Sequence, residues 1–61
     1  MKVRDILKKL TQDGWKLDRT RGDHRQFVHS SKLGTVTVPG HASDDLAAGT
    51  LNSILKQAGF K

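Results

Sequence analysis

Apolar residues open the chain at helical spacing: Val3, Ile6, Leu7 and Leu10 fall at i, i+3, i+4 and i+7, with Lys2, Arg4, Asp5, Lys8 and Lys9 on the remaining surface. This predicts a first helix over about residues 2–12, stopped at Asp13-Gly14 because glycine readily takes the left-handed conformation that follows a helix C-terminus. The period then changes to two. Trp15 and Leu17 alternate with polar residues, as a half-buried strand requires, and Arg21-Gly22-Asp23 reads as a tight turn. His24 to Ser30, built around Phe27 and Val28, predicts a second strand that pairs with the first as a hairpin. Adjacent Phe27 and Val28 must point to opposite faces, so the pattern leaves open the side on which His24 lies. Thr35-Val36-Thr37-Val38 alternates cleanly and ends at Pro39, which cannot donate to a ladder.

A loop from Pro39 to Ser43 leads to a second helix predicted over about residues 46–58, capped by Asp44 or Asp45. Its apolar stripe is Ala47, Leu51, Ile54, Leu55 and Ala58, and Gly59-Phe60 fits a Schellman ending. The order is α-β-β-β-α. One apolar stripe per helix and one apolar face per meander predict an α+β fold, a three-stranded antiparallel sheet with both helices on one face. Trp15, in phase with Leu17, is expected in the core rather than stacked on a ligand. With no linker, repeat or low-complexity tract, residues 1–61 are expected to form one domain.

Charge narrows the partners. Eleven Lys plus Arg face six Asp and no Glu, giving a formal net charge of +5 and a pI near 10.1, which favours a polyanion. Cysteine is absent, which excludes disulfides and thiolate metal sites and suits a reducing compartment. A chain of this length buries only about 60% of its unfolded surface, which leaves open a homodimer or a protein partner that adds to its stability. No apolar run approaches a membrane span and no export signal is visible, which predicts a cytoplasmic location. His24, His29 and His41 have no metal-ligand spacing, and P-loop, dinucleotide and GxSxG motifs are lacking, so neither metal nor cofactor is expected. Arg21-Gly22-Asp23 spells an integrin-type tripeptide, but its glycine already has a turn to explain it.

Two stretches carry a family resemblance. Gly22-Asp23-His24 with Phe27 is one. The other is Val36-Thr37-Val38-Pro39 with His41, then Leu46, Gly49-Thr50-Leu51 and Ser53-Ile54-Leu55-Lys56-Gln57-Ala58-Gly59. Together they resemble the HicA, or YcfA-like, family over nearly the whole chain. The resemblance implies a fold like that of a double-stranded-RNA-binding domain. It also implies an mRNA interferase, the toxin of a toxin–antitoxin pair neutralised by a HicB-type antitoxin in a hetero-oligomer, with its catalytic histidine at His24. The family most often has Ser or Thr where this chain has Asp23. A carboxylate there bears directly on the neighbouring ring, by repelling phosphate or by orienting the imidazole.

The chemistry is consistent with that implication. Metal-free RNA cleavage uses the substrate's own 2′-hydroxyl as nucleophile, and histidine, with an ordinary pKa of about 6.5, exchanges protons near neutrality. Arg19, Arg21 and Arg25 flank His24 within the hairpin and offer planar donors to phosphate oxygens. Lys8 and Lys9 are candidates to extend the basic surface, and His41 is a candidate accessory group, with backbone hydrogen bonding as the plainer role. Two alternatives stay open: a noncatalytic module that reads helical RNA by shape, and a protein-interaction domain with an acidic partner.

Overall fold

Helix α1 (Val3–Gln12) leads through Gly14 into β1 (Trp15–Arg21) and β2 (His24–His29), followed by β3 (Val36–Val38) and α2 (Ala48–Gln57), in a computed structural model that describes residues 1–61. The three strands form one antiparallel sheet in the order β1-β2-β3. Both helices lie on one face of that sheet. Val3, Ile6 and Leu10 from α1, Ile54 from α2 and Ala58 just after it close one core with Trp15, Phe27, Val36 and Val38. Each fully buried large side chain contributes roughly 1.5–3 kcal/mol of transfer free energy, and Leu7, Leu46, Leu51, Leu55 and Phe60 pack half-buried against this small set. No helix is long and apolar enough to cross a membrane.

The central strand shows which way β2 faces. Phe27 is 6% exposed and Val28 37%, so Phe27, Arg25 and His29 face the helices while Val28, Gln26 and His24 face away. Cross-strand pairing agrees, since Phe27 sits opposite buried Val36 and Gln26 opposite Thr37.

Local differences from the sequence pattern have physical causes. Asp44 and Asp45 do not cap α2. The Asp44 carboxylate accepts the His41 N–H at 2.9 Å, and Asp45 forms an isolated bridge and a 3.7 Å ion pair with Lys2, so the helix starts later, behind Ala47. Ala47 is therefore a cap residue and not part of the buried stripe. Leu17 shares the helix-side face with Trp15 but lies on an edge strand and stays 54% exposed. At the other end of α2 the expected Schellman closure forms: Phe60 N–H donates to the Leu55 carbonyl at 2.8 Å and Gly59 N–H to Lys56 at 3.1 Å, with Gly59 at φ +80°.

One corner ties both helices to the β1–β2 hairpin. The Asp13 carboxylate, at the end of α1, accepts hydrogen bonds from Trp15 Nε1 at 3.2 Å and Lys32 Nζ at 2.6 Å. Lys32 Nζ also donates to the Ala58 carbonyl at the end of α2, 3.1 Å away. His29 Nε2 lies 2.7 Å from the Asp13 carbonyl, while Ser31 N–H donates to His29 Nδ1 at 3.0 Å. Because Nδ1 accepts, the ring proton sits on Nε2 and is donated to Asp13. The same ring meets Trp15 edge-on with centroids 5.2 Å apart.

Gly14 sits beneath that ring at φ +98°, where an added Cβ would lie 2.9 Å from His29 Nε2. Gly14→Ala is therefore expected to destabilise the protein by about 1–3 kcal/mol, measured by urea unfolding. The Lys32 hydrogen bond holds the Asp13 carboxyl below its ordinary pKa of 3.8, against an opposing effect of partial burial. A depressed folded-state value means that the contribution is present above 3.8 and is lost as pH falls through the folded value. The Tm gap between wild type and Asp13→Asn should stay constant near neutrality and narrow below about pH 4.

Candidate nucleic-acid interface

The β1–β2 hairpin closes with a two-residue loop, Gly22-Asp23, between the paired residues Arg21 and His24. Gly22 takes φ +56° and Asp23 no positive φ, the pattern of a type II′ turn, in which glycine occupies the first loop position. This turn puts Asp23 on the corner and His24 at the first position of β2. The His24 side chain is 55% exposed, with Nδ1 2.9 Å from an Asp23 carboxylate oxygen. Its Nε2 makes no hydrogen bond within the chain and is open to solvent.

Which arginines join His24 is decided by a bulge. Pairing runs Leu17↔Phe27 and then Arg19↔Gln26, so Asp18 is the extra residue on β1. Before the bulge the odd-numbered residues Trp15 and Leu17 face the helices. After it, Arg19 and Arg21 pair with the outward-facing Gln26 and His24 and share their face. An uninterrupted ladder would have turned both guanidinium groups toward the helix layer. Arg19 Nε is 3.5 Å from the Asp18 carboxylate, so its charge is partly offset at the bulge itself. Arg21, directly across from His24, has no ion pair or hydrogen bond and is the free guanidinium beside the ring.

The remaining candidates lie elsewhere. Arg25 faces the helix layer, and its Nη1 donates to the Gly40 carbonyl at 2.9 Å. That bond ties the β3–α2 loop to the strand position after His24, and so brings the His41 loop to the same end of the sheet. His41 itself anchors a turn through backbone bonds with Asp44, its N–H donating to the carboxylate and its carbonyl accepting Asp44 N–H at 2.9 Å each. Lys8 and Lys9 belong to α1, across the sheet from His24, and Lys9 Nζ covers the Phe60 ring at 4.8 Å. The structure therefore brings together His24, Arg19 and Arg21, and separates them from Arg25, Lys8 and Lys9.

Lys16, Gln26 and Thr37 fall on the same outer face, in phase with His24, and the sequence pattern did not single them out. Finding them required the side of β2, which Phe27-Val28 leaves ambiguous until packing selects Phe27. Chemically, the face offers an exposed imidazole, an unpaired guanidinium beside it and amide and hydroxyl groups along the strand. It is open, with no pocket in it, a shape that meets a polymer more readily than an enclosed small molecule. No three His, Asp or Glu side chains gather closely enough to hold a metal ion.

A family model described as the HicA toxin of bacterial toxin–antitoxin systems matches residues 3–60. No individual curated protein matches the chain closely enough to count as a relative.

Arg25, next to His24 in sequence, and Arg21, across the hairpin from it, should behave differently. Arg25→Ala removes the donor to Gly40 and is expected to cost about 1 kcal/mol in urea unfolding, whereas Arg21→Ala should stay within about 0.5 kcal/mol of wild type. Equal effects on stability would contradict the assignment of Arg25 to the helix-side face.

Proposed function

The chain belongs to the HicA toxin family, and from that premise we propose that it is a metal-independent endoribonuclease that cleaves mRNA in the cytoplasm with His24 as its proton-transfer group. The observation that carries this reading is the exposed His24 ring beside the unpaired Arg21 guanidinium on one open sheet face.

On this reading an RNA strand lies across the outer face, its phosphate held by Arg21 and Arg19. His24 takes the proton of a ribose 2′-hydroxyl. The 2′-oxygen attacks the adjacent phosphorus, the bond from phosphorus to the 5′-oxygen breaks, and the leaving oxygen is protonated by water. Arg21 offsets the charge that builds on the phosphate during the exchange. Lys8 and Lys9, on the far layer, add to long-range attraction rather than to contact. His41 serves the loop that Arg25 holds, as an accessory group at the same sheet end. A HicB-type antitoxin neutralises the enzyme in a hetero-oligomer by covering the His24 face, so RNA and antitoxin compete for the same arginines.

Purified protein incubated with an mRNA and excess chelator is expected to yield fragments, and His24→Ala to slow cleavage by at least roughly 100-fold with folding intact. Arg21→Ala should weaken RNA binding and lower the salt dependence of log K by about 0.7 for one lost phosphate contact. Protein that binds RNA without cutting it would instead mark a noncatalytic RNA-binding module. Loss of all RNA affinity would favour a protein-interaction domain.

A further inference from the structure

We propose that Asp23 is a positioning residue for His24: its carboxylate holds the imidazole in the tautomer with the proton on Nδ1 and the lone pair on Nε2, and so commits His24 to accepting a proton at Nε2. The role assigned to that lone pair rests on the nuclease reading above, whereas the tautomer itself is measurable without RNA.

The geometry is local and specific. A bare lone pair on a ring nitrogen 2.9 Å from an anionic oxygen would be repelled by it, so this contact favours the tautomer with the hydrogen on Nδ1. In the neutral ring the other nitrogen is then the base. Nε2 has no partner within the chain, so its lone pair is available on the outer face next to Arg21. When Nε2 takes a proton, the carboxylate keeps its place beside Nδ1 and does not itself take the proton, so the ring holds its direction through the step. With both side chains about half exposed, the contact adds little to folding, and its effect is on the direction and tautomer of the ring.

His29, at the other end of the same strand, supplies the contrast. Its Nδ1 accepts from Ser31 and its Nε2 donates to the Asp13 carbonyl, so both nitrogens are occupied and the tautomer is the opposite one. One strand thus begins with an open histidine and ends with a closed one. What distinguishes them is the partner on Nδ1, an acceptor at Asp23 and a donor at Ser31.

The test uses the full chain, ¹⁵N-labelled, as wild type, Asp23→Asn and Asp23→Ser, with the imidazole nitrogen shifts of His24 read at a pH where the ring is neutral. Wild type is expected to show the Nδ1–H tautomer. The asparagine amide can donate to Nδ1, so that variant should move toward the Nε2–H form, and the serine variant, whose hydroxyl donates or accepts, should show a mixture. In mRNA cleavage assays kcat should fall roughly tenfold or more for Asp23→Asn, less than the about 10⁴-fold known for a buried orienting carboxylate, with KM changed less than about twofold. Tautomer populations that match among the three proteins, or an unchanged kcat, would overturn the proposal. Failure of the wild type to cleave any RNA would overturn the nuclease reading alone, because the nitrogen shifts still decide whether Asp23 sets the ring.

Discussion

Asp13 is the point on which the fold depends. Its carboxylate and carbonyl together receive the Trp15 indole, the Lys32 ammonium and the His29 ring, and Lys32 carries the connection on to the Ala58 carbonyl at the end of α2. A core of nine buried residues leaves little surplus after chain entropy is met. Closure of the corner fixes how α1, the hairpin, the β2–β3 loop and α2 sit relative to one another, which loosely packed apolar contacts alone would specify poorly. The same geometry explains why Gly14 admits no side chain, since the His29 ring occupies the space a Cβ would need.

Strand β2 connects that corner to the candidate site. His29 lies at the closed end and His24 at the open end, about 16 Å apart along the strand. Structural hydrogen bonds concentrate at the first, and unpaired donors and an exposed ring at the second. Such a division suits a very small protein: rigidity at one end lets the hairpin turn at the other present polar groups that contribute nothing to stability. Arg25 belongs to the rigid part despite standing next to His24, because the pleat sends its side chain to the opposite face, where it anchors Gly40.

Periodicity shows what burial demands, so the order α-β-β-β-α, the apolar stripe of α1, the Val36 and Val38 pair and the Schellman ending at Gly59 were all readable from residue spacing. Three features were not. The side of β2 was ambiguous because Phe27 and Val28 are both apolar, and only volume against the helices selects the larger ring for the interior. The bulge at Asp18 leaves no mark in the alternation of Arg19, Thr20 and Arg21, yet it decides that two arginines share the face of His24. The α2 cap departs from residue type because Asp44 and Asp45, good cap residues by type, are drawn to His41 and Lys2 by tertiary contacts. The histidine motif was legible as a resemblance; its surroundings required coordinates.

An open face with one imidazole and one free guanidinium constrains any chemistry placed there. It has no enclosed volume to exclude water and no group suited to be a covalent nucleophile beside the ring, so a reaction there is easiest when the substrate brings its own nucleophile and the protein moves one proton and offsets one charge. RNA satisfies this condition through its 2′-hydroxyl, and DNA does not. The same shallowness bears on inhibition. A partner that covers a few strand residues around His24 removes the ring, Arg19 and Arg21 together, because the bulge has gathered them on one surface. A deep active site would require a partner to insert a segment. Here, on the reading proposed, contact with a flat basic face suffices, and a partner presenting acidic groups to it gains from the same charges that attract the substrate.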